Sequence, residues 1–197
     1  MSQISVPPQQ TLEFTKLLVR PPVQLTGLGA RDSLRLEAGM CLYGHDLDED
    51  TTPIEAGLSW VIGKERKGTG GFIGAEALQK QIKNGPPRRR VGLIIEGAPA
   101  RGIVSSLFFY ISPSNFSISS EGAKIFTPDG AETLGTVTSG IPSPTVGKNI
   151  AMGYIRSGHH KKGTEIAVDV RNKLRKAVVT PMPFVKTKYW RGLDVKS

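Results

Sequence analysis

Cysteine is almost absent: Cys41 is the only one in 197 residues, so neither an intrachain disulfide nor a zinc site built on several thiolates can form. That scarcity fits a reducing or mitochondrial compartment better than secretion, and Cys41 is expected to pack as a small hydrophobe. Long apolar runs are missing too. The longest, from Ile103 to Ile111, is interrupted by Ser105 and Ser106 and falls far short of the roughly 20 apolar residues of a spanning helix. The first residues show neither the apolar half of a signal peptide nor the arginine-rich pattern of a transit peptide. Acidic residues are under-represented, 17 against 26 basic, for a net charge of +9. Such a field favours anionic partners without choosing among nucleic acid, polyphosphates, carboxylated cofactors and acidic proteins. The cations are dispersed over 64–67, 88–90, 156–162, 171–176 and 186–191, and short clusters of this kind are ordinarily solvated surface.

What is present reads as two textures. The first half mixes helix and coil, starting with a helix from Leu12 to Val19, capped by Thr11 and stopped by Pro21 and Pro22. A second helix is expected from Gly29 to Ala38, with Ala30, Leu34 and Ala38 on one side and Arg31 and Arg35 one turn apart. The loop from His45 to Asp50 follows. Thr52, Pro53 and Glu55 then match a capping box that opens a short helix leading to Trp60. A last helix over Ala75 to Lys83 is ended by the Asn84–Pro87 segment. Beyond it come short apolar runs punctuated by Gly, Pro and Asp, the pattern of an antiparallel β domain. Strands are expected at Val91–Glu96, Lys124–Phe126, Thr133–Ser139, Ile150–Tyr154, Glu165–Val170 and Arg175–Val179, with a turn at Thr127–Gly130. The fold class is therefore α+β, with a domain boundary near 84–88.

No catalytic constellation stands out. His159 and His160 are neighbours in a Gly/Lys-rich turn and do not have the spacing to share a metal. His45 with Asp46, Asp48 and Asp50 lacks the glycine and terminal glutamate of a calcium loop, and a solvated loop is expected there. The glycine-rich stretch 68–74 has neither the preceding strand nor the full spacing of a dinucleotide loop, so it reads as a flexible connector. No metal is expected. Asn115 begins a glycosylation sequon that is read as chance in a chain without secretory features.

Longer patterns are more specific. The runs GLGARDSLRLEAGMCLYGHD (27–46), TTPIEAGLSW (51–60), RRVGL (89–93), EGAPAR (96–101), LGTVTSGIPSP (134–144), KNIAMGY (148–154) and VVTPMPFVKTKY (178–189) closely resemble the glycine cleavage T proteins, the tetrahydrofolate-dependent aminomethyltransferases. The resemblance implies that residues 1–85 are the C-terminal portion of the folate-binding domain and 88–190 the C-terminal β-barrel domain. It implies aminomethyl transfer from the lipoyl arm of the acidic H protein to tetrahydrofolate, with release of ammonia, in a mitochondrial setting. Arg31 and Tyr189 match folate-contacting positions of the family.

Several departures from the family accompany the match. The family's catalytic aspartate belongs to a part upstream of the matched region, so no catalytic residue is assigned here and the chain is expected to be inactive alone. Gln3 stands where the family has a pterin-binding glutamate, and residues 102–120 form an atypical insert, read as a translated intron. Two other readings are kept: a folate domain related to dimethylglycine or sarcosine dehydrogenases, and a non-catalytic basic module engaging RNA or an acidic protein through Arg88–Arg90.

Overall fold

A computed structural model describes residues 4–97 and 122–188. Gln3, the insert, the sequon and Tyr189 lie outside the described residues. The chain divides into two compact units, 1–32 and 33–197. The first holds a 3-10 turn, Pro8–Gln10, running directly into α1, Thr11–Leu18. Thr11 is the first helical residue rather than the cap, and its hydroxyl donates to Pro7 O at 3.1 Å. The preceding 3-10 turn already supplies the entry that a capping threonine would make. The division between the units falls inside α2, Leu28–Glu37.

The second unit is built on a closed antiparallel barrel. Its strands are β1 (Arg88–Ile95), β2 (Lys124–Phe126), β3 (Thr133–Ser143), β4 (Lys148–Arg156), β5 (Glu165–Asp169) and β6 (Leu174–Thr180), in the order β1-β4-β3-β2-β5-β6. Each of these described strands pairs with a neighbour on both sides, which limits the open edges that are the usual hazard of a small β domain. Thr127–Gly130 makes the turn between β2 and β3, where Gly130 N donates to Thr127 O at 2.8 Å and Gly130 has φ +76°, a left-handed conformation that glycine adopts without steric cost. Strand β4 explains how the barrel carries a second layer. Every residue from Ile150 to Ile155 is buried, although successive strand side chains point to opposite faces. Ala151 and Ile155 face the interior core with Val91, Leu93, Ile125 and Val168. Ile150 and Met152 belong to an outer cluster with Leu36 of α2, bordered by Met182 and Phe184. Each fully buried aliphatic side chain contributes roughly 1.5–3 kcal/mol, so α2 is anchored through Leu36, whereas Leu34, on the side expected from the apolar spacing, is 63% exposed.

Two further expectations are corrected. The Thr52 motif forms a single turn, not a helix: Thr52 Oγ1 accepts from Glu55 N at 3.2 Å, but the Glu55 carboxylate turns away to Arg88 and Gln81 instead of closing the box. An additional short helix, α3 (Lys64–Thr69), follows Trp60 and takes in the first two residues of the glycine-rich stretch, ahead of α4 (Ala75–Asn84). Gly68 inside α3 hides it from propensity, and Gly70, at φ +72°, ends it. No helix among the described residues is long and apolar enough to cross a membrane.

Candidate functional site

Helix α2 carries two arginines a turn apart whose surroundings differ completely. Arg35 is 13% exposed and meets the fully buried side chain of Asp46, Nη1 to Oδ2 2.7 Å. Its other donors reach Met40 O at 3.2 Å and Ser139 Oγ at 3.0 Å. Asp46 in turn accepts from Leu42 N at 2.9 Å and from Thr138 Oγ1 at 2.5 Å, so both carboxylate oxygens are satisfied, the condition under which a buried ion pair is tolerated. Thr138 reaches Asp46 because the β3–β4 register slips there: Val137 pairs with Gly153 and Ser139 with Met152. The extra residue is a β-bulge, a device that re-aims a side chain. Tyr154 completes the ring by donating from its hydroxyl to Asp46 O at 2.8 Å. Burial, opposed by the cations Arg90 and Arg88, pushes the Tyr154 phenol up to about 12, and it stays a neutral donor. The loop expected to be solvated is exposed at Asp48, Glu49 and Asp50, whereas Asp46 within it is a buried junction.

At the end of α2, Glu37 is tied to the β3–β4 connection. It accepts from the Ser143 hydroxyl, from Thr145 N at 3.1 Å and from Thr145 Oγ1 at 2.8 Å. Burial resists its ionisation, but these hydrogen bonds together hold its carboxyl below the ordinary value. Its backbone carbonyl receives Phe184 N and Val185 N at 2.9 and 3.1 Å, which stitches the segment after β6 onto the helix.

The Arg88–Arg90 cluster is not a free cationic patch, contrary to the solvated surface expected of it. Arg88 pairs with Glu55 at 2.9 Å and stacks 4.8 Å over the Tyr154 ring. Arg90 donates to Ala56 O at 2.8 Å and Gly39 O at 3.1 Å. Two of the three cations thus hold the 39–56 segment against β1, and the reading as an RNA-binding module loses its main surface. Cys41 is half-buried, and burial pushes its thiol up, the direction that disfavours the thiolate. Among the described residues no group of three or more His, Cys, Asp or Glu is placed to hold a metal ion.

Arg31 is the contrast to Arg35. It is exposed, its backbone N donates to Gly27 O at 3.1 Å, and its guanidinium has no hydrogen-bond or ion-pair partner among the described residues. The structure therefore separates a structural arginine from an available one, four residues apart on the same helix. Sequence spacing shows the pair but not the difference, which depends on Asp46, 11 residues on, and Ser139, 104 residues on. Tyr189 lies outside the described residues, so its placement beside Arg31 is not part of the observed geometry.

A six-stranded antiparallel barrel with a helix clamped to its outer wall defines a folding class, and comparison with known proteins gives the family. The N-terminal domain model of the glycine cleavage T proteins matches residues 4–66, and the C-terminal barrel domain model matches residues 108–186. The chain is 49% identical over 193 residues to the mitochondrial aminomethyltransferase of Mesembryanthemum crystallinum, covering 96% of this chain and 42% of that protein. It is 48% identical to a probable mitochondrial aminomethyltransferase of Schizosaccharomyces pombe, covering 96% and 44%. The crystal structure of the glycine cleavage system aminomethyltransferase T from Bartonella henselae superposes with a TM-score of 0.76 at 36% identity, covering 92% of this chain and 45% of that one. The chain belongs to the glycine cleavage T-protein family, and it spans less than half the length of these relatives.

Proposed function

We propose that this chain provides part of a tetrahydrofolate-dependent aminomethyltransferase of glycine cleavage. The reaction moves an aminomethyl group from the lipoyl arm of H protein to tetrahydrofolate and releases ammonia. The observation that carries this reading is the match of both domains of one family, in order, with identity near one half over 96% of the chain. Residues 1–85 are then the C-terminal portion of the folate-binding domain and 88–190 the barrel domain. The family naming of mitochondrial relatives supports a mitochondrial setting.

Within this chain the group best suited to meet the cofactor is Arg31. An exposed, unpaired guanidinium presents a planar fork of donors to a carboxylate or to a pterin carbonyl. Tyr189 is assigned to the same ligand on family resemblance. The net charge of +9 supports electrostatic attraction of an acidic carrier such as H protein. Chemistry of this kind relies on holding two reactants together and on stabilising a cationic, iminium-like centre. The described residues contribute binding and a rigid frame, with no assigned catalytic carboxylate.

The expected affinity of the 197-residue polypeptide for tetrahydrofolate is weaker than about 1 mM, or less than about 4 kcal/mol, because one exposed arginine does not enclose a pterin. NMR reads affinities in this range. Tetrahydrofolate should shift the Arg31 side-chain Nε resonance, and Arg31→Met should abolish saturation elsewhere on α2 without changing the melting temperature. Absence of any response at Arg31 at saturating ligand would sink this assignment.

A further inference from the structure

The turn between β4 and β5, residues 157–164, carries His159, His160, Lys161 and Lys162 in succession, and nothing in the folate reading uses them. His160 and Lys162 line a depression of about 240 Å³ together with Arg90, Gly92, Thr180 and Met182. Its volume is below the roughly 300–1,000 Å³ typical of sites for drug-sized ligands, so it is too small for a nucleotide or a folate but has room for a small ion. Among the described residues that line it there is no carboxylate.

Three lining groups can donate. Lys162 is exposed and has no ion-pair or hydrogen-bond partner among the described residues. Arg90 uses Nε and Nη1 on carbonyls and sulfur, while its Nη2 has no hydrogen-bond partner among the described residues. His160 accepts from Gly158 N at Nδ1, 3.3 Å, which assigns the proton of the neutral ring to Nε2. Burial, then Arg89 and Lys161, hold the His160 imidazolium below its ordinary range. The charged groups facing it are thus Arg89 on β1 and Lys161 on its own turn, with Arg90 and Lys162 lining the same depression. Positive charges gathered without a counter-charge repel one another and are relieved by a bound anion.

We propose that this depression is a binding site for a small doubly charged oxyanion of the sulfate or phosphate type, held by Lys162, His160 and Arg90. The inference does not depend on the folate reading. A lysine, an arginine and a histidine match the tetrahedral oxygens of such an ion with charge-assisted hydrogen bonds. The ligand is either the free inorganic ion or a phosphate monoester group on a larger molecule, and the two share this chemistry.

The test follows the His160 ring by NMR between about pH 5 and 8 in the 197-residue chain, in sodium sulfate and in sodium chloride at equal ionic strength. Sulfate is doubly charged throughout that range, so the titration seen belongs to the histidine. Chloride raises the midpoint only by screening Arg89 and Lys161. Sulfate should raise it by about one further pH unit, equivalent to about tenfold tighter binding to the protonated form. Lys162→Gln, at an exposed position whose melting temperature should not change, is expected to weaken sulfate binding about three- to tenfold. Phenyl phosphate in a parallel titration distinguishes the sources: comparable binding points to a phosphorylated ligand, and its exclusion to the free ion. Equal midpoints in sulfate and chloride, or an unchanged sulfate response in Lys162→Gln, would overturn the proposal.

Discussion

Replacing Arg35 with methionine should cost about 3–5 kcal/mol of stability, the range seen when one partner of a buried ion pair is removed. Asp46 would remain with a side chain that is fully buried and one carboxylate oxygen held only by Leu42 N. Arg31→Met on the same helix should change stability by no more than about 0.5 kcal/mol, as surface substitutions usually do. Paired urea titrations measure both. Equal midpoints for the two variants would show that the Arg35–Asp46 contact does not clamp α2 to the barrel. Asp46→Asn should fall between them, since the amide keeps an acceptor for Thr138 but loses the charge that Arg35 requires.

An equally severe effect is expected at Gly135. A Cβ built there would lie 1.9 Å from Tyr154 O on the neighbouring strand, closer than any real contact, and the obstruction is backbone rather than a side chain that could swing aside. Gly153, on the same ladder but paired with Val137, has a Cβ position 2.4 Å from Thr136 O, so β3 and β4 approach closely at two positions that tolerate no side chain. Gly135→Ala should therefore cost more than about 3 kcal/mol, at or above the upper end for overpacked sites, and should split the β3–β4 ladder in hydrogen exchange. Gly63→Ala, where nothing lies within 4 Å of the added carbon, is the control and should stay within about 0.5 kcal/mol. A folded Gly135→Ala protein with an unchanged melting temperature would contradict the close approach.

These two sites also show what could be read in advance. The strands were legible because alternating or continuous apolar runs such as 91–95 and 150–155 sit between strong turn residues, and that pattern is local. Thr127–Gly130 was legible for the same reason. The family motifs likewise lie along the chain, and the proposal for Arg31 rests on them. The burial of Asp46 is not legible in the sequence because it depends on Arg35 and on Thr138, the latter 92 residues away, and a short acidic stretch carries no mark of distant partners. The bulge that delivers Thr138 is a one-residue slip in pairing, invisible in a pattern of period two. Arg88 and Arg90 looked like surface charge because their partners Glu55 and Ala56 O belong to an earlier loop. The helix α3 was hidden by its own glycine.

The central claim is that this chain works as part of a folate-dependent aminomethyl transfer. The most direct measurement replaces the matching span of the Mesembryanthemum crystallinum relative with residues 1–197 and follows methylenetetrahydrofolate formed from aminomethylated H protein and tetrahydrofolate. The chimera should turn over, and Arg31→Met should lower kcat/KM by about tenfold or more, the loss of one charge-assisted hydrogen-bond set. The 197-residue polypeptide alone should give no product above the uncatalysed rate. A folded chimera that forms no methylenetetrahydrofolate, or one unaffected by loss of the Arg31 guanidinium, would contradict the account.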